Sequence, residues 1–174
     1  MIKKFYSLHI PNSFFGYLFL SSIVFIAFNG CNLLDSNDEK KEDRLYVKFY
    51  NDSTSEYTIT SIELQAMGVA GEAEQPSGEW SANVLSDGTE IEPGSFTYFY
   101  ADIPGQHWSK YRISVKDSSG SITALHEQNG YTETELPITH WGSDERTVSI
   151  TVVRSVFSNL IDVTQWMEWA GIED

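Results

Sequence analysis

The stretch "YRISVKD", residues 111–117, sets the strongest limit on what this chain can become. Tyr111, Ile113 and Val115 share one phase, while Arg112, Ser114 and Lys116 share the other. A period of two is the mark of a strand with one dry face and one wet face. "DSSG" at 117–120 supplies a turn and "SITALHE" at 121–127 resumes the alternation, which predicts a hairpin over 111–126. The same texture recurs in "LYVKFYN" (45–51), "YTITSIELQAM" (57–67), "SFTYFYADI" (95–103) and "RTVSITVVRS" (146–155), with a further strand expected over Trp80–Leu85. Breakers separate these runs: the polar, glycine-rich 68–79 and "SDGTEIEPGS" at 86–95, with its Asp-Gly and Pro-Gly turns. About seven short strands at this spacing predict an all-β domain over 45–156, an antiparallel two-sheet sandwich of Ig-like or transthyretin-like kind. Each sheet must hide one face, and stacking two sheets does so.

The period changes near the end. "NLIDVTQWMEWAG", residues 159–171, sets Leu160, Val163, Trp166, Met167 and Ala170 at helical spacing, with Asn159 as cap and Gly171 as stop. This predicts a short C-terminal amphipathic helix within 157–174. A helix of that length is marginal alone, so it is expected to dock on its own sandwich or on a partner.

Composition narrows the partners. The chain has 25 acidic and 11 basic residues, a net charge of −14. Two of those bases, Lys3 and Lys4, lie in the first four positions, and no acid precedes Asp35. Loss of residues 1–30 leaves nine bases against twenty-five acids, a charge of −16. Such a field repels phosphate backbones and argues against nucleic acid as a partner. It equally disfavours lying flat on anionic lipid.

The amino terminus combines Lys3 and Lys4 with fifteen uncharged residues from Phe14 to Phe28. The run is short for a membrane span, which needs about 20 apolar residues, and it has the length of a secretory signal's apolar region. Gly30 then precedes Cys31, the only cysteine. A lone thiol has no partner for a disulfide within the chain. Gly30 and Cys31 at the end of such a leader resemble a bacterial lipoprotein signal. That resemblance implies removal of residues 1–30 and acylation of Cys31 by diacylglycerol and a fatty acid such as palmitate. It implies lodging in the cell envelope. Asn32 after the cysteine favours the outer membrane, by analogy with lipoprotein sorting. The acids from Asp35 to Asp43 resemble acidic export signals, which leaves both the periplasmic and the surface face open. Residues 31–44 then form a charged tether, whose "NLLDSNDEKKED" reaches about 40 Å when stretched.

Within residues 45–126, the chain also resembles small β-rich bacterial modules without an agreed activity. The features are Asn51 in the first strand, Trp80, the turn Ile91-Glu92-Pro93-Gly94-Ser95, and the hairpin from Tyr111 to Gly120. They are architectural, and they imply a sandwich and no catalytic residue.

Chemistry is sparse. His107, His126 and His140 form no His-x-His or His-Glu-x-x-His pair, and no phosphate loop or Gly-x-Ser-x-Gly elbow occurs. No catalytic residue, metal ligand or cofactor is assigned, and the chain is expected not to be an enzyme. "NDSTSE" (51–56) and "DSSGS" (117–121) invite a calcium reading, yet neither has EF-hand spacing, and turn formation accounts for both. The candidate ligand-binding residues are His107 with Trp108, in "IPGQHWSKY", and His140 with Trp141, in "PITHWGSDE". Both pairs fall in loop-like sequence, where a tryptophan stacks on a sugar, anchors a protein, or plugs one end of the sandwich. The function expected is a non-catalytic, lipid-anchored binding or structural module, with an envelope protein or a glycan as partner.

Overall fold

Leu45, Val47, Phe49 and Asn51 occupy one phase of the first predicted strand, and all four are essentially inaccessible to solvent. A computed structural model describes residues 44–69, 78–103, 107–133 and 136–172 of the chain. Alternation of this kind builds eight strands: β1 (Leu45–Asn51), β2 (Thr58–Val69), β3 (Ser95–Ala101), β4 (His107–Lys116), β5 (Ile122–Ala124), β6 (Ile138–Thr139), β7 (Glu145–Arg154) and β8 (Ile161–Ala170). One sheet runs β3-β1-β7-β8 and the other β2-β4-β5, with β6 also paired to β4. Their inner faces share a core that includes Phe49, Val148 and Ile150 from the first sheet and Ile62, Ile113 and Val115 from the second. Burial of each such side chain contributes about 1.5–3 kcal/mol against the entropy of ordering. Aromatic contacts cross between the layers, where Trp166 of β8 stacks on Tyr111 of β4 at 4.7 Å and meets Phe49 edge-on at 6.1 Å.

The two-layer, all-β expectation holds, but three parts of it need correction. First, the segment 159–171 contains no helix; it forms the ten-residue edge strand β8, antiparallel to β7. The reason lies in the register. Val163 pairs with Val152 and Gln165 with Thr151, so Thr164 is an extra residue in a bulge. Ile161 and Val163 point inward before the bulge, and Trp166 points inward after it. That break turns a two-residue repeat into a three-residue step from Val163 to Trp166, which imitates helical spacing. Pairing along the whole of β7 satisfies more backbone than a marginal helix would. Asn159 is not a helix cap. It has a left-handed φ of 62° in the β7–β8 turn, where Arg154 Nη1 donates to its carbonyl at 2.8 Å.

Second, the sandwich is not wholly antiparallel, because β1 runs parallel to β7. Third, Trp80–Leu85 is not a strand. Ser81 and Val84 donate their backbone N–H groups to Leu64 and Ile62 of β2. The return bonds come from side chains instead: Leu64 N donates to Ser81 Oγ and Ile62 N to Asn83 Oδ1, each at 2.9 Å. This irregular strap still covers the outer edge of β2, one of the ways proteins blunt an open sheet edge. "SITALHE" likewise gives only three strand residues before a 3-10 turn at Leu125–Glu127. The leader, Cys31 and all of the tether except Arg44 lie outside the described residues.

Asn51 ties these parts together. Fully buried at the end of β1, its Nδ2 donates to the Tyr57 carbonyl at 2.9 Å and to the Ile91 carbonyl at 2.8 Å. Its own carbonyl accepts from Gly94 N at 2.8 Å, in the Pro93-Gly94 turn, where Gly94 has a φ of 80°. Alanine at position 51 removes the side-chain donor of the buried Tyr57 carbonyl and one of two donors to the Ile91 carbonyl, which still accepts from Ile59 N at 3.0 Å. Asn51→Ala is therefore expected to lower the free energy of unfolding by about 3 kcal/mol in urea titration. A loss below about 1 kcal/mol would show that the Tyr57 carbonyl finds another donor.

Candidate functional site

Val156 and Phe157 in the β7–β8 turn are the most exposed apolar side chains among the described residues, but the exposed rings in mutual contact belong to the outer face of the first sheet. β1 and β3 are unusual in carrying large side chains on their wet phase: Tyr46, Lys48 and Tyr50 on β1, opposite Tyr100, Tyr98 and Phe96 on β3. Phe96, Tyr98 and Tyr100 remain 49%, 42% and 59% exposed, a cost that scattered single residues would not explain. They are ordered by one another. Tyr46 stacks on Tyr98 at 5.3 Å with the rings 8° apart, Tyr100 tilts against Tyr46 at 5.0 Å, and Phe96 meets Tyr98 edge-on at 5.5 Å. Lys48 Nζ lies 4.5 Å from the Phe96 ring centre, and Arg44 closes the far end over Tyr100 at 5.7 Å while pairing with Asp102 at 2.9 Å. Burial by this cluster, reinforced by Tyr100, Tyr98 and Glu145, pushes the Tyr46 hydroxyl above its ordinary pKa, so it stays a neutral donor.

Two hollows flank the cluster. One, of about 410 Å³, has Lys48, Tyr50, Asp52 and Phe96 on one side, Thr147 and Ser149 of β7 between, and Met167 and Trp169 of β8 on the other. The second, of about 500 Å³, is lined by Tyr46, Tyr98, Tyr100, Val84 and Ser86 with Arg44 and Asp102. Both volumes fall within the range of small-ligand clefts, about 300–1,000 Å³. A third, internal crevice of about 20 Å³ beside Tyr111, His126, Tyr131 and Glu133 holds a water at most. There burial raises Tyr111 well above an ordinary phenol, and burial with Asp162 and Glu133 raises Tyr131 to about 12.

The sequence-derived binding residues lie elsewhere and do not form one surface. Trp108 is not in a loop: it is in β4, 6% exposed, opposite Thr139 of β6. His107 begins β4, and its carbonyl accepts from His140 N at 3.0 Å, so the two His-Trp pairs are neighbours through the backbone. His140 is buried, with Nε2 3.0 Å from Asp144 Oδ1. Only Trp141 is open, at 56%. Its loop is pinned from below by Arg146, which donates to the carbonyls of Thr139 and Trp141. Glu168 joins this mount, accepting from Thr139 N at 2.7 Å; burial raises its pKa against the opposing pull of Thr139 and Arg146. The loop is thus rigid, with one exposed ring. His140 Nε2 thus pairs with Asp144, and His126 Nε2 lies 4.0 Å from Glu127. Among the described residues, no three His, Cys, Asp or Glu side chains gather as a metal site.

The two acidic loops use their carboxylates as turn braces. Asp52 Oδ1 accepts from both the N–H and the hydroxyl of Thr54, and Asp117 Oδ1 from Ser119 N, Ser119 Oγ and Ser121 N. Hydrogen bonding to the Thr54 hydroxyl holds Asp52 below the ordinary value of 3.8, and bonding to the Ser119 hydroxyl does the same for Asp117.

The aromatic face was visible in "SFTYFYADI" only as a strand with apolar residues on both phases. Nothing in the alternation says which phase is wet. Met167 and Trp169 were obscured by the bulge in β8. No protein-family model, curated protein or solved structure matches the chain.

Both lowered carboxylates yield a titration test. A depressed folded pKa means stabilisation that is complete above the unfolded value near 3.8 and fades as pH falls through the folded one. Carboxyl NMR titration should find Asp52 and Asp117 protonating below 3.8, and Ser119→Ala should bring Asp117 back toward it. An unchanged Asp117 midpoint in that variant would refute the brace.

Proposed function

We propose that this chain is a lipid-anchored envelope protein whose sandwich is a non-catalytic binding module, and that the outer aromatic face of β1 and β3 is its binding surface. The single observation that carries the reading is the exposure of Phe96, Tyr98 and Tyr100 together, in mutual contact, on a two-sheet scaffold. Monomeric proteins do not usually leave contiguous rings in water without a use for them. The sandwich, read as Ig-like or transthyretin-like, supplies rigidity rather than reacting groups. Anchorage rests on Cys31: several acyl chains, at about 0.8 kcal/mol per buried methylene, hold far more firmly than one. The outer membrane is the proposed site, on either of its faces. The tether enters at Leu45, where β1 pairs with the beginning of β7 and the end of β3. From there the aromatic face runs along β1 and β3.

Two measurements test this. Cys31→Ser should move the protein from the membrane to the soluble fraction and abolish acyl labelling; a variant that stays membrane-bound would show an uncleaved anchor instead. A photo-reactive phenylalanine analogue at Tyr98, activated in the native cells, should form an adduct, whereas the same group at exposed Ile122 should not. Absence of any Tyr98 adduct would remove the binding face from the reading.

A further inference from the structure

We infer that the hollow between Tyr50–Phe96 and Met167–Trp169 takes a neutral glycan strand, an inference that rests on the binding-module reading and names its ligand class. The first reason is charge. On a chain with 25 acidic residues, the outer face of the β3-β1-β7-β8 sheet carries no carboxylate between Glu145, opposite Tyr46, and Asp52, which lines the end of the hollow with its Oδ1 engaged by Thr54. Lys48 is the charge within that span, placed against the Phe96 ring. An uncharged polymer meets no penalty there, whereas a polyanion must approach through a field of net charge −14.

The second reason is the mixture of surfaces. Rings stand on both sides, Phe96 and Tyr50 facing Trp169, while the floor between them is Thr147 and Ser149 of β7. The flat C–H face of a pyranose packs on an aromatic ring, and its equatorial hydroxyls need donors and acceptors in the plane of the sugar. Tyr50, partly exposed beside the hollow, offers such a hydroxyl, while Ser149 and Lys48 line it as largely buried side chains. An apolar protein anchor would have no use for a hydroxyl floor. The third reason is shape: a hollow of about 410 Å³ open to solvent admits a slender chain from the side. Trp169 is held for this role through its neighbour Glu168, which bonds Thr139, and by pairing with Thr147, whose hydroxyl donates to Gly171 O at 2.8 Å. The ring therefore costs little entropy to use.

The test uses the full chain in a detergent without a sugar head group, titrated with cellohexaose, mannohexaose and maltohexaose, and with hexagalacturonate as the acidic counterpart. At least one neutral hexasaccharide should bind and change tryptophan emission, and the acidic one should bind more weakly. Phe96→Ala and Trp169→Ala should each weaken that binding about three- to tenfold, with melting temperatures recorded to confirm that both variants fold. Trp141→Ala should leave it unchanged. The inference is overturned if no neutral hexasaccharide binds, if both ring variants bind as the parent does, or if the acidic sugar binds as well as the neutral ones. A Tyr98 photo-adduct that proves to be a protein, with no sugar binding, overturns the glycan while leaving the binding face; no adduct and no sugar binding overturns both.

Discussion

One buried amide holds the architecture at its most demanding point. Asn51 ends β1 in the centre of the first sheet, and its side chain bonds two carbonyls that belong to different loops. Those loops must be placed for the sandwich to close. Tyr57 leads into β2, the edge of the second sheet, and Ile91 bridges back to Ile59 of that strand. The Pro93-Gly94 turn, bonded to the Asn51 carbonyl, then returns the chain to β3. A single residue thus fixes two passages of chain between the sheets. Each bond replaces water that a buried carbonyl has lost, which is why the arrangement tolerates so little change.

With that joint fixed, the chain meets its edge problem at two places by similar means. The strap at 80–85 covers β2 with Ser81 and Asn83 standing in for backbone. Gln128 does the same at the start of β8, where its side-chain amide both accepts from Ile161 N and donates to Ile161 O, each at 2.9 Å. Among the described residues β3 carries no such side-chain cover, and its exposed phase is the aromatic one. Edge strands that are hydrophobic and open invite association. An acidic protein that leaves its neutral, ring-rich region beside such an edge has concentrated its stickiness where its charge is least. This coincidence of neutrality, aromatic order and concavity distinguishes the outer face of the first sheet from the Trp141 loop, which offers one exposed ring on a braced mount.

The strands were legible wherever one phase was uniformly apolar. Tyr111 to Val115 could be placed and sided from alternation alone, and 146–155 could be placed as a strand. Legibility failed where a local irregularity shifted the phase. The bulge at Thr164 made β8 imitate a helix. Ser81 and Asn83 made a side-chain-bonded strap look like a strand. Trp108 looked like a loop residue because "IPG" precedes it, yet it lies within β4 and is buried. Of the four residues expected to bind, only Trp141 is strongly exposed, whereas eight of the side chains that form the aromatic face and its hollow sit in strands that had been read for their core.

Sequence alone determined that this chain is built from strands, that its turns fall at the Pro-Gly and Asp-x-x-Gly sites, and that it carries a strong negative charge, because periodicity, φ requirements and ionisation are local properties. Tertiary structure alone decided which phase of β1 and β3 faces water, that β1 and β7 run parallel, and that the last segment is an edge strand. Those are pairing choices: β1 and β7 join residues about a hundred positions apart, as Tyr50 and Ser149, which no short window of sequence contains, while the nearer pairing of β7 with β8 is masked in sequence by the bulge at Thr164.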